Sequence, residues 1–360
     1  MLYHLLYPLR EYLSVLNVFR YITFRSAYAA VTALLISFLL GPLFLRMLRR
    51  NQLLEGVREY VPDSHAAKAG TPTMGGLMIL VATLVPTLLW ARLDNDFIWL
   101  MVIATVWLGL VGFTDDFLKV VKKRRKGLVA RYKLVGQLGL GLLVGLYLYY
   151  TSLIQQPTDV EVPFLKNAVL SLGPAYVVFV MVVITASSNA VNLTDGLDGL
   201  AIGLIVLCAV AFGAMSYLTG NVRFSDYLDI PYIAGTGELA VYCSALVGAG
   251  LGFLWFNCHP AQVFMGDTGS LAVGGALGTL AVLIKKEIWL VIVGGLFVVI
   301  AASVIIQVAS FKLRGKRVFL MAPLHHHFQK LGWAESQVVT RFWIIGALFA
   351  LLALSTLKLQ

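Results

Sequence analysis

Long apolar stretches separated by short polar loops run along almost the whole chain. Several of them, such as 134–153 and 288–311, reach the roughly 20 residues that a helix needs to cross a bilayer. The pattern predicts about ten membrane-spanning helices, at 27–45, 75–93, 97–114, 134–153, 175–191, 200–218, 239–256, 270–284, 288–311 and 339–357. We therefore predict an all-α polytopic membrane protein that forms a single integral-membrane domain over residues 1–360.

Composition and charge agree with this interpretation. Only 13% of the residues are charged, against roughly 25% in soluble domains, so most of the surface faces something other than water. The net charge of +10 does not indicate a nucleic-acid partner, because the basic residues lie in short loops between apolar stretches.

Those basic loops also predict the orientation of the chain. Nineteen of the 28 Lys and Arg residues fall in three alternate loops, at 46–68, 119–133 and 312–341. Loops rich in Lys and Arg face the cytoplasm. With ten spans, both termini are then expected on the outer, periplasmic side.

Three further segments depart from a simple span. Residues 1–26 mix aromatic and charged side chains, which is typical of an amphipathic segment on the membrane surface. The alternating stretch 154–174 predicts a small hairpin on the outer face. The span 288–311 is long and contains polar residues, so we expect it to be bent or tilted.

Carboxylates are concentrated at the predicted cytoplasmic ends of the spans. The five are Asp115, Asp116, Asp195, Asp198 and Asp267, on three different loops. Each one alone is equally well explained as a helix cap or a turn residue. Ionisable groups at membrane depth are costly and usually mark a function, and five at one face predict an active site there.

The segments around these carboxylates indicate separate roles. Asp115 and Asp116 are adjacent, so on a helix they point in different directions, and Lys119 lies one turn further on and pairs with one of them or binds an anion. Asp267 lies at the start of a span, where helix amides attract phosphate and a carboxylate is well placed to hold Mg²⁺.

Other polar and aromatic residues extend the candidate site. Asn192, Asp195 and Asp198 lie in a Gly-rich segment suited to sugar hydroxyls, a uracil edge or phosphate, although a tight turn uses the same residues. Phe264 either stacks on a base or packs at the membrane interface. The three histidines at 325–327 either contact phosphate and handle protons or form a solvated loop. Carboxylates, phosphate-binding groups and an aromatic ring at a membrane face together indicate phosphoryl transfer.

Six motifs in order along the chain resemble the phospho-N-acetylmuramoyl-pentapeptide-transferase family, within the polyprenyl-phosphate N-acetylhexosamine-1-phosphate transferases. They are GTPTMGG (70–76), FTDDFLKV (113–120), NAVNLTDGLDGLA (189–201), FLWFN (253–257), VFMGDTGSLA (263–272) and APLHHHF (322–328). The triple-histidine motif, followed by RFWI at 341–344, resembles the muramoyl-pentapeptide branch in particular.

The resemblance implies a ten-helix enzyme of the bacterial inner membrane. It would transfer phospho-MurNAc-pentapeptide from UDP-MurNAc-pentapeptide to undecaprenyl phosphate, giving lipid I and UMP, with Mg²⁺ as cofactor. It also implies contact with membrane lipids and a homodimer.

The resemblance also implies roles for individual residues. Asp267 resembles the Mg²⁺ ligand, Asp116 a support for the metal or substrate, and Asp115 the residue that deprotonates or orients the lipid phosphate. Further catalytic-face residues would be Lys133, His325, His326 and His327. The nucleotide pocket would contain Lys68, Asn192, Asp195, Asp198, Asn257, Phe264 and Gln307, and we add Lys119 as a substrate-binding candidate.

Two mechanisms fit this reading. Either the lipid phosphate attacks the donor's β-phosphate directly, which we favour because it is already an anionic nucleophile, or an aspartate attacks first. The alternative functions are a sibling transferase for GlcNAc-1-phosphate, a transporter and a lipid-binding scaffold.

Overall fold

The computed structural model describes residues 1–50, 70–124, 127–151, 153–164 and 169–358, and they form an almost entirely helical protein. The helices of the first half are α1 (Leu2–Leu6), α2 (Ile22–Arg50), α3 (Gly76–Trp90), α4 (Asp96–Val120), α5 (Ala130–Tyr150), α6 (Ala175–Thr194) and α7 (Leu200–Thr219). Those of the second half are α8 (Val222–Leu228), α9 (Leu239–Asn257), α10 (Gly266–Leu283), α11 (Glu287–Val293), α12 (Gly295–Arg314), α13 (Leu324–Lys330) and α14 (Glu335–Ser355).

The apolar stretches identified in the sequence are all helical. Eight helical segments in the described part of the chain are long and apolar enough to cross a membrane, and α3 is a shorter apolar helix. The prediction of an all-α, multi-pass membrane protein is therefore confirmed.

Helix α10 lies at the centre of the bundle. Each of its residues from Thr268 to Leu283 is buried, and it packs chiefly against α4 and α6. Its glycines permit this close packing, because a Cβ at Gly274 would lie 2.8 Å from Val191 Cβ, and one at Gly278 would lie 3.0 Å from Ile184 Cα. Small residues at helix interfaces in membranes allow such approach.

The long predicted span 288–311 is interrupted, as expected. Helix α11 ends at Val293 and α12 begins at Gly295, so the break falls at Gly294. Glycine is a poor helix former and commonly marks such kinks.

The predicted hairpin is also present. Strand β1 (Asp159–Glu161) pairs antiparallel with β2 (Val169–Ser171), and Val160 lies opposite Leu170. Two buried lysines hold it against the bundle: Lys285 Nζ donates to the Pro157 carbonyl at 2.8 Å, and Lys286 pairs with Glu161. Burial lowers the pKa of both lysines, against the opposing effect of the glutamates.

The N-terminal segment consists of α1 and two short 3₁₀ turns, Tyr7–Glu11 and Ser14–Arg20, and none of these three elements contains a buried residue. This exposure agrees with the predicted surface segment.

Several helix ends bring the candidate residues to one end of the bundle. Helices α4, α6, α9 and α12 end there, and α5, α7, α10 and α14 begin there. We call this end the carboxylate face.

Candidate active site

Three carboxylates meet where α4 ends and α10 begins. Asp115 and Asp116 lie in the last turns of α4, and Asp267 lies in the first turn of α10. One oxygen from each lies within 4.8 Å of the others. The structure thus joins carboxylates that are about 150 residues apart in the sequence.

Asp116 caps α10. Its Oδ1 accepts from the backbone N–H of Asp267 at 3.1 Å, and its Oδ2 accepts from the backbone N–H and the hydroxyl of Thr268 at 2.8 and 2.6 Å. The first amides of a helix lack partners within the helix, and here a neighbouring helix supplies the acceptor. Asp116 therefore fixes the position of Asp267.

Asp115 points instead toward two lysines, as expected for adjacent side chains on a helix. Lys119 Nζ lies 2.5 Å from Asp115 Oδ2 and 2.9 Å from Asp267 Oδ2. Lys133 Nζ lies 2.9 and 2.6 Å from the same two oxygens. Both ammonium groups thus bridge the two carboxylates, and Leu128 also donates its backbone N–H to Asp115 at 2.6 Å.

Asn192 links the cluster to α6. Its Nδ2 donates to Asp267 Oδ1 and to Ser270 Oγ, both at 2.8 Å. One turn earlier on α6, Asn189 donates to Gln137 Oε1 at 2.9 Å, and Gln137 is fully buried on α5. Asp267 is therefore positioned from α4, α5 and α6 at once.

Asp198 belongs to a second group of residues. Its Oδ2 lies 3.0 Å from His259 Nδ1 and accepts from the backbone N–H of Ala261 at 3.1 Å. The next residue, Gly199, donates its N–H to Asn257 Oδ1 at 3.0 Å, and Asn257 Nδ2 donates to the Val263 carbonyl at 2.8 Å. The α6–α7 turn and the α9–α10 loop are thus held together.

Phe264 lies on a short backbone ladder beside the carboxylates. Its N–H donates to the Pro72 carbonyl and its carbonyl accepts from the N–H of Gly75, both at 2.8 Å. The ring is half-buried. This ladder joins the 70–76 motif to the segment that leads into Asp267.

The histidines form the short helix α13. His325 and His326 are buried, and their ring centroids lie 4.3 Å apart. A Cβ on Gly196 would lie 2.5 Å from His325 Nε2, so α13 packs against the α6–α7 turn. His327 faces the loop ahead of it and accepts from the N–H of Leu320 at 3.2 Å.

Gln307 holds that same loop against α12. Its Oε1 accepts from the N–H groups of Val318 and Phe319 at 3.0 and 2.9 Å, and its Nε2 donates to the Phe319 carbonyl at 3.0 Å. In this structure its amide oxygen therefore contacts the backbone that leads to the histidines.

The structure brings most of the sequence candidates to one face. Asp115, Asp116, Lys119, Lys133, Asn192 and Asp267 form one contact network, and Asp198 and Asn257 form the second group. Asp195 lies at the end of α6, three residues after Asn192. Lys68 lies outside the described residues.

Sequence reasoning missed His259 and Glu335 in the second group and Thr268 and Ser270 in the first. Glu335 is a charged residue four residues before the predicted span 339–357, which is the one local signal that marked it. The partners of these residues are far away in the sequence, so no spacing revealed them.

The carboxylate cluster suits a divalent cation that prefers hard oxygen ligands. Asp267 is the member with an exposed edge, since 15% of its side chain is exposed against none of Asp115. Three carboxylates and two ammonium groups leave one net negative charge, which favours a cation. The residues present therefore fit Mg²⁺, and Asp116 is linked to Asp267 by its hydrogen bond from the Asp267 backbone N–H.

Comparison with known proteins agrees with this geometry. A family model described as glycosyl transferase family 4 matches residues 98–285, and one described as phospho-N-acetylmuramoyl-pentapeptide-transferase signature 1 matches residues 68–80. Proteins named phospho-N-acetylmuramoyl-pentapeptide-transferase from Citrifermentans bemidjiense and Geobacter sp. strain M21 are each 56% identical over 360 residues. The one from Desulfotalea psychrophila is 53% identical over 361 residues.

Each of these three matches covers 100% of both chains. Identity above one half along the full length leaves no part of the chain unmatched. The chain therefore belongs to the phospho-N-acetylmuramoyl-pentapeptide-transferase family, within glycosyl transferase family 4.

Proposed function

We propose that this enzyme transfers phospho-MurNAc-pentapeptide from UDP-MurNAc-pentapeptide to undecaprenyl phosphate, forming lipid I and UMP in peptidoglycan synthesis. The observation that carries the proposal is the cluster of three aspartates bridged by Lys119 and Lys133, at the ends of apolar helices. Only at a membrane face does a water-soluble nucleotide sugar meet the phosphate of a polyprenyl lipid.

The proposed setting is the bacterial inner membrane, crossed ten times by a single domain over residues 1–360 with both termini outside. The basic loops between α4 and α5 and between α12 and α14 support this orientation, because these helices end or begin at the carboxylate face. The nucleotide donor is made of charged, soluble parts, so a cytoplasmic carboxylate face gives it access. We further propose a homodimer and contact with membrane lipids.

The proposed cofactor is Mg²⁺, held by Asp267 and Asp116. Bound there, the ion supplies positive charge that neutralises the diphosphate of the donor. Asp116 also keeps the first turn of α10 in place through its three hydrogen bonds. Asn192 fixes the other oxygen of Asp267 and so sets the orientation of that carboxylate.

Asp115 and the two lysines are proposed to handle the phosphates. Lys119 and Lys133 each lie between Asp115 and Asp267, and an ammonium in that position can turn from a carboxylate to a phosphate oxygen. Asp115 takes a proton from the lipid phosphate or orients it. An oxygen of the lipid phosphate then attacks the β-phosphorus of the donor, the bond from that phosphorus to the bridging oxygen breaks, and UMP leaves with the electron pair.

The donor's nucleotide is proposed to bind beside this centre. The pocket would use Lys68, Asp195, Asp198, Asn257 and Phe264, with His325, His326 and His327 at its rim and Gln307 holding the loop before them. Support comes from the packing of α13 on the α6–α7 turn, which joins the histidines to the Asp-bearing segment.

The test is UMP release by the purified protein in detergent. We expect release to need undecaprenyl phosphate, UDP-MurNAc-pentapeptide and Mg²⁺, and to stop when EDTA is added. Asp267→Asn should abolish it, whereas the matched change Asp94→Asn, at the opposite end of the bundle, should not. Release with UDP-GlcNAc instead would favour the sibling transferase, and no release with either donor from folded protein would refute the proposal.

A further inference from the structure

The turn between α6 and α7, residues 195–199, carries two aspartates of the proposed nucleotide pocket but has no regular structure of its own. Asp195 follows the last residue of α6, and Gly199, with φ of +76°, precedes α7. A turn of this kind keeps one conformation only where neighbouring segments hold it, because ordering each residue costs conformational entropy.

One of the holding contacts comes from Glu335, the first residue of α14. Its Oε1 accepts from the backbone N–H of Asp198 at 2.9 Å, across 137 residues of sequence. The Glu335 side chain is only 8% exposed and lies 4.0 Å from His259 Nδ1. A carboxylate in the first turn of a helix is ordinarily explained by the helix dipole, but this one is directed at another segment.

The opposite side of the turn is held by the α9–α10 loop. The Asp198 side chain contacts His259 and the N–H of Ala261, and the N–H of Gly199 donates to Asn257. Asp198 is thus fixed by its backbone on one side and by its carboxylate on the other. Loss of the backbone contact would let the turn rotate about the side-chain contacts.

The same turn also touches the histidines. Gly196 packs against His325, and only four residues separate the end of α13 from Glu335. A displacement at Asp198 therefore moves the surface on which His325 rests. Glu335 couples the proposed nucleotide pocket to the histidine helix.

We propose that Glu335 is a positioning residue for the nucleotide donor: its carboxylate holds the backbone of Asp198 and thereby the 195–199 turn. The inference rests on the proposed function and deepens it, since it predicts an effect on one substrate and not on the other. Under the proposed function, undecaprenyl phosphate reacts at the cluster of Asp115 and Asp267, whereas Glu335 holds the turn that carries Asp198.

The test compares Glu335→Ala with Glu335→Gln, which keeps an acceptor oxygen. A hydrogen bond to a charged group is typically worth a factor of about ten or more. We expect Glu335→Ala to raise KM for UDP-MurNAc-pentapeptide about tenfold with an unchanged KM for undecaprenyl phosphate, and Glu335→Gln to stay within about threefold of the wild type. Ser336→Ala, an exposed change in the same helical turn, is the control and should alter neither.

Titration of the same variants with UMP provides a readout that needs no turnover. We expect Glu335→Ala to weaken UMP binding about tenfold. An unchanged donor KM and UMP affinity, an equal rise in both KM values, or a Glu335→Gln variant as impaired as Glu335→Ala would each overturn the inference. A wild-type protein that binds added UMP but forms no UMP from UDP-MurNAc-pentapeptide would refute the proposed function instead. The UMP titration would then still decide the role of Glu335.

Discussion

A buried ion pair at the end of the bundle opposite the carboxylate face gives a quantitative test of the fold. Arg25 Nη1 and Nη2 lie 2.5 and 2.6 Å from the two oxygens of Glu238, and the two side chains are 1% and 6% exposed. Arg25 also donates to the Trp90 carbonyl at 3.3 Å, and Glu238 accepts from the N–H of Arg92 at 3.1 Å. The pair joins α2, which carries Arg25, to Glu238 just before α9, and its other hydrogen bonds reach the end of α3 and the loop after it.

Glu238→Ala would remove the carboxylate that pairs with the buried guanidinium of Arg25, which keeps the Trp90 carbonyl and the Tyr3 ring, 5.2 Å away, as neighbours. Removing one partner of a buried ion pair typically costs about 3–5 kcal/mol, because the remaining charge stays desolvated. Arg92 and Asp94 offer a matched control at the same end of the bundle. They form a bidentate pair with a shortest distance of 2.6 Å, but their side chains are 42% and 48% exposed, so Asp94→Ala should cost about 0–1 kcal/mol.

The assay is thermal unfolding of each variant in the same detergent, followed by intrinsic fluorescence and by residual UMP release. We expect the loss of melting temperature in Glu238→Ala to be at least three times that in Asp94→Ala. Replacing both Arg25 and Glu238 by Met should recover part of the loss, since no unpaired charge then remains. Equal effects of the two single changes would refute the reasoning, as would a double variant less stable than Glu238→Ala.

Three further predictions concern the carboxylate face and the hairpin. Gly196→Ala should reduce UMP release, because its methyl group would lie 2.5 Å from His325 Nε2 and displace α13; wild-type turnover would contradict this contact. Gln307→Met should lower turnover more than Gln307→Glu, since Glu keeps the acceptor for two of the three hydrogen bonds to the loop; equal kinetics in the two would contradict it. Burial lowers the pKa of Lys285, so the folded protein releases this proton at lower pH than the unfolded chain. Stability measured by thermal unfolding should therefore rise with pH up to about 10.4, the ordinary lysine pKa, and Lys285→Met should flatten the rise.

Much of the architecture was predictable from local pattern. Each apolar stretch is helical, the 154–174 segment contains the paired strands, and the long span is broken at Gly294. Such features depend on neighbours a few residues apart, because hydrophobic periodicity and turn chemistry are local properties. The sequence also predicted that carboxylates form the site, since ionisable groups at membrane depth are costly and usually mark a function.

The partners of each aspartate in the site are decided by the packing of the helices. The sequence left open which aspartate pairs with Lys119, and the structure shows that it is Asp115. Asp116 turned out to accept the amides at the start of α10, a contact across about 150 residues. Neither outcome follows from the Asp-Asp motif alone, because a helix end presents both side chains and only the neighbouring helices select their partners.

By itself, the sequence determined that this is a membrane-embedded helical protein with an acidic and basic site at one face, because hydropathy and charge along the chain carry that information. Tertiary structure alone decided that Lys133 bridges Asp115 and Asp267 and that Glu335 holds the backbone of Asp198. The physical reason is that the first contact requires α10 to be packed in the centre, which its small residues allow, and the second requires α14 to pack against α7. The packing of the helices against one another sets those distances, and the spacing of the residues along the sequence does not.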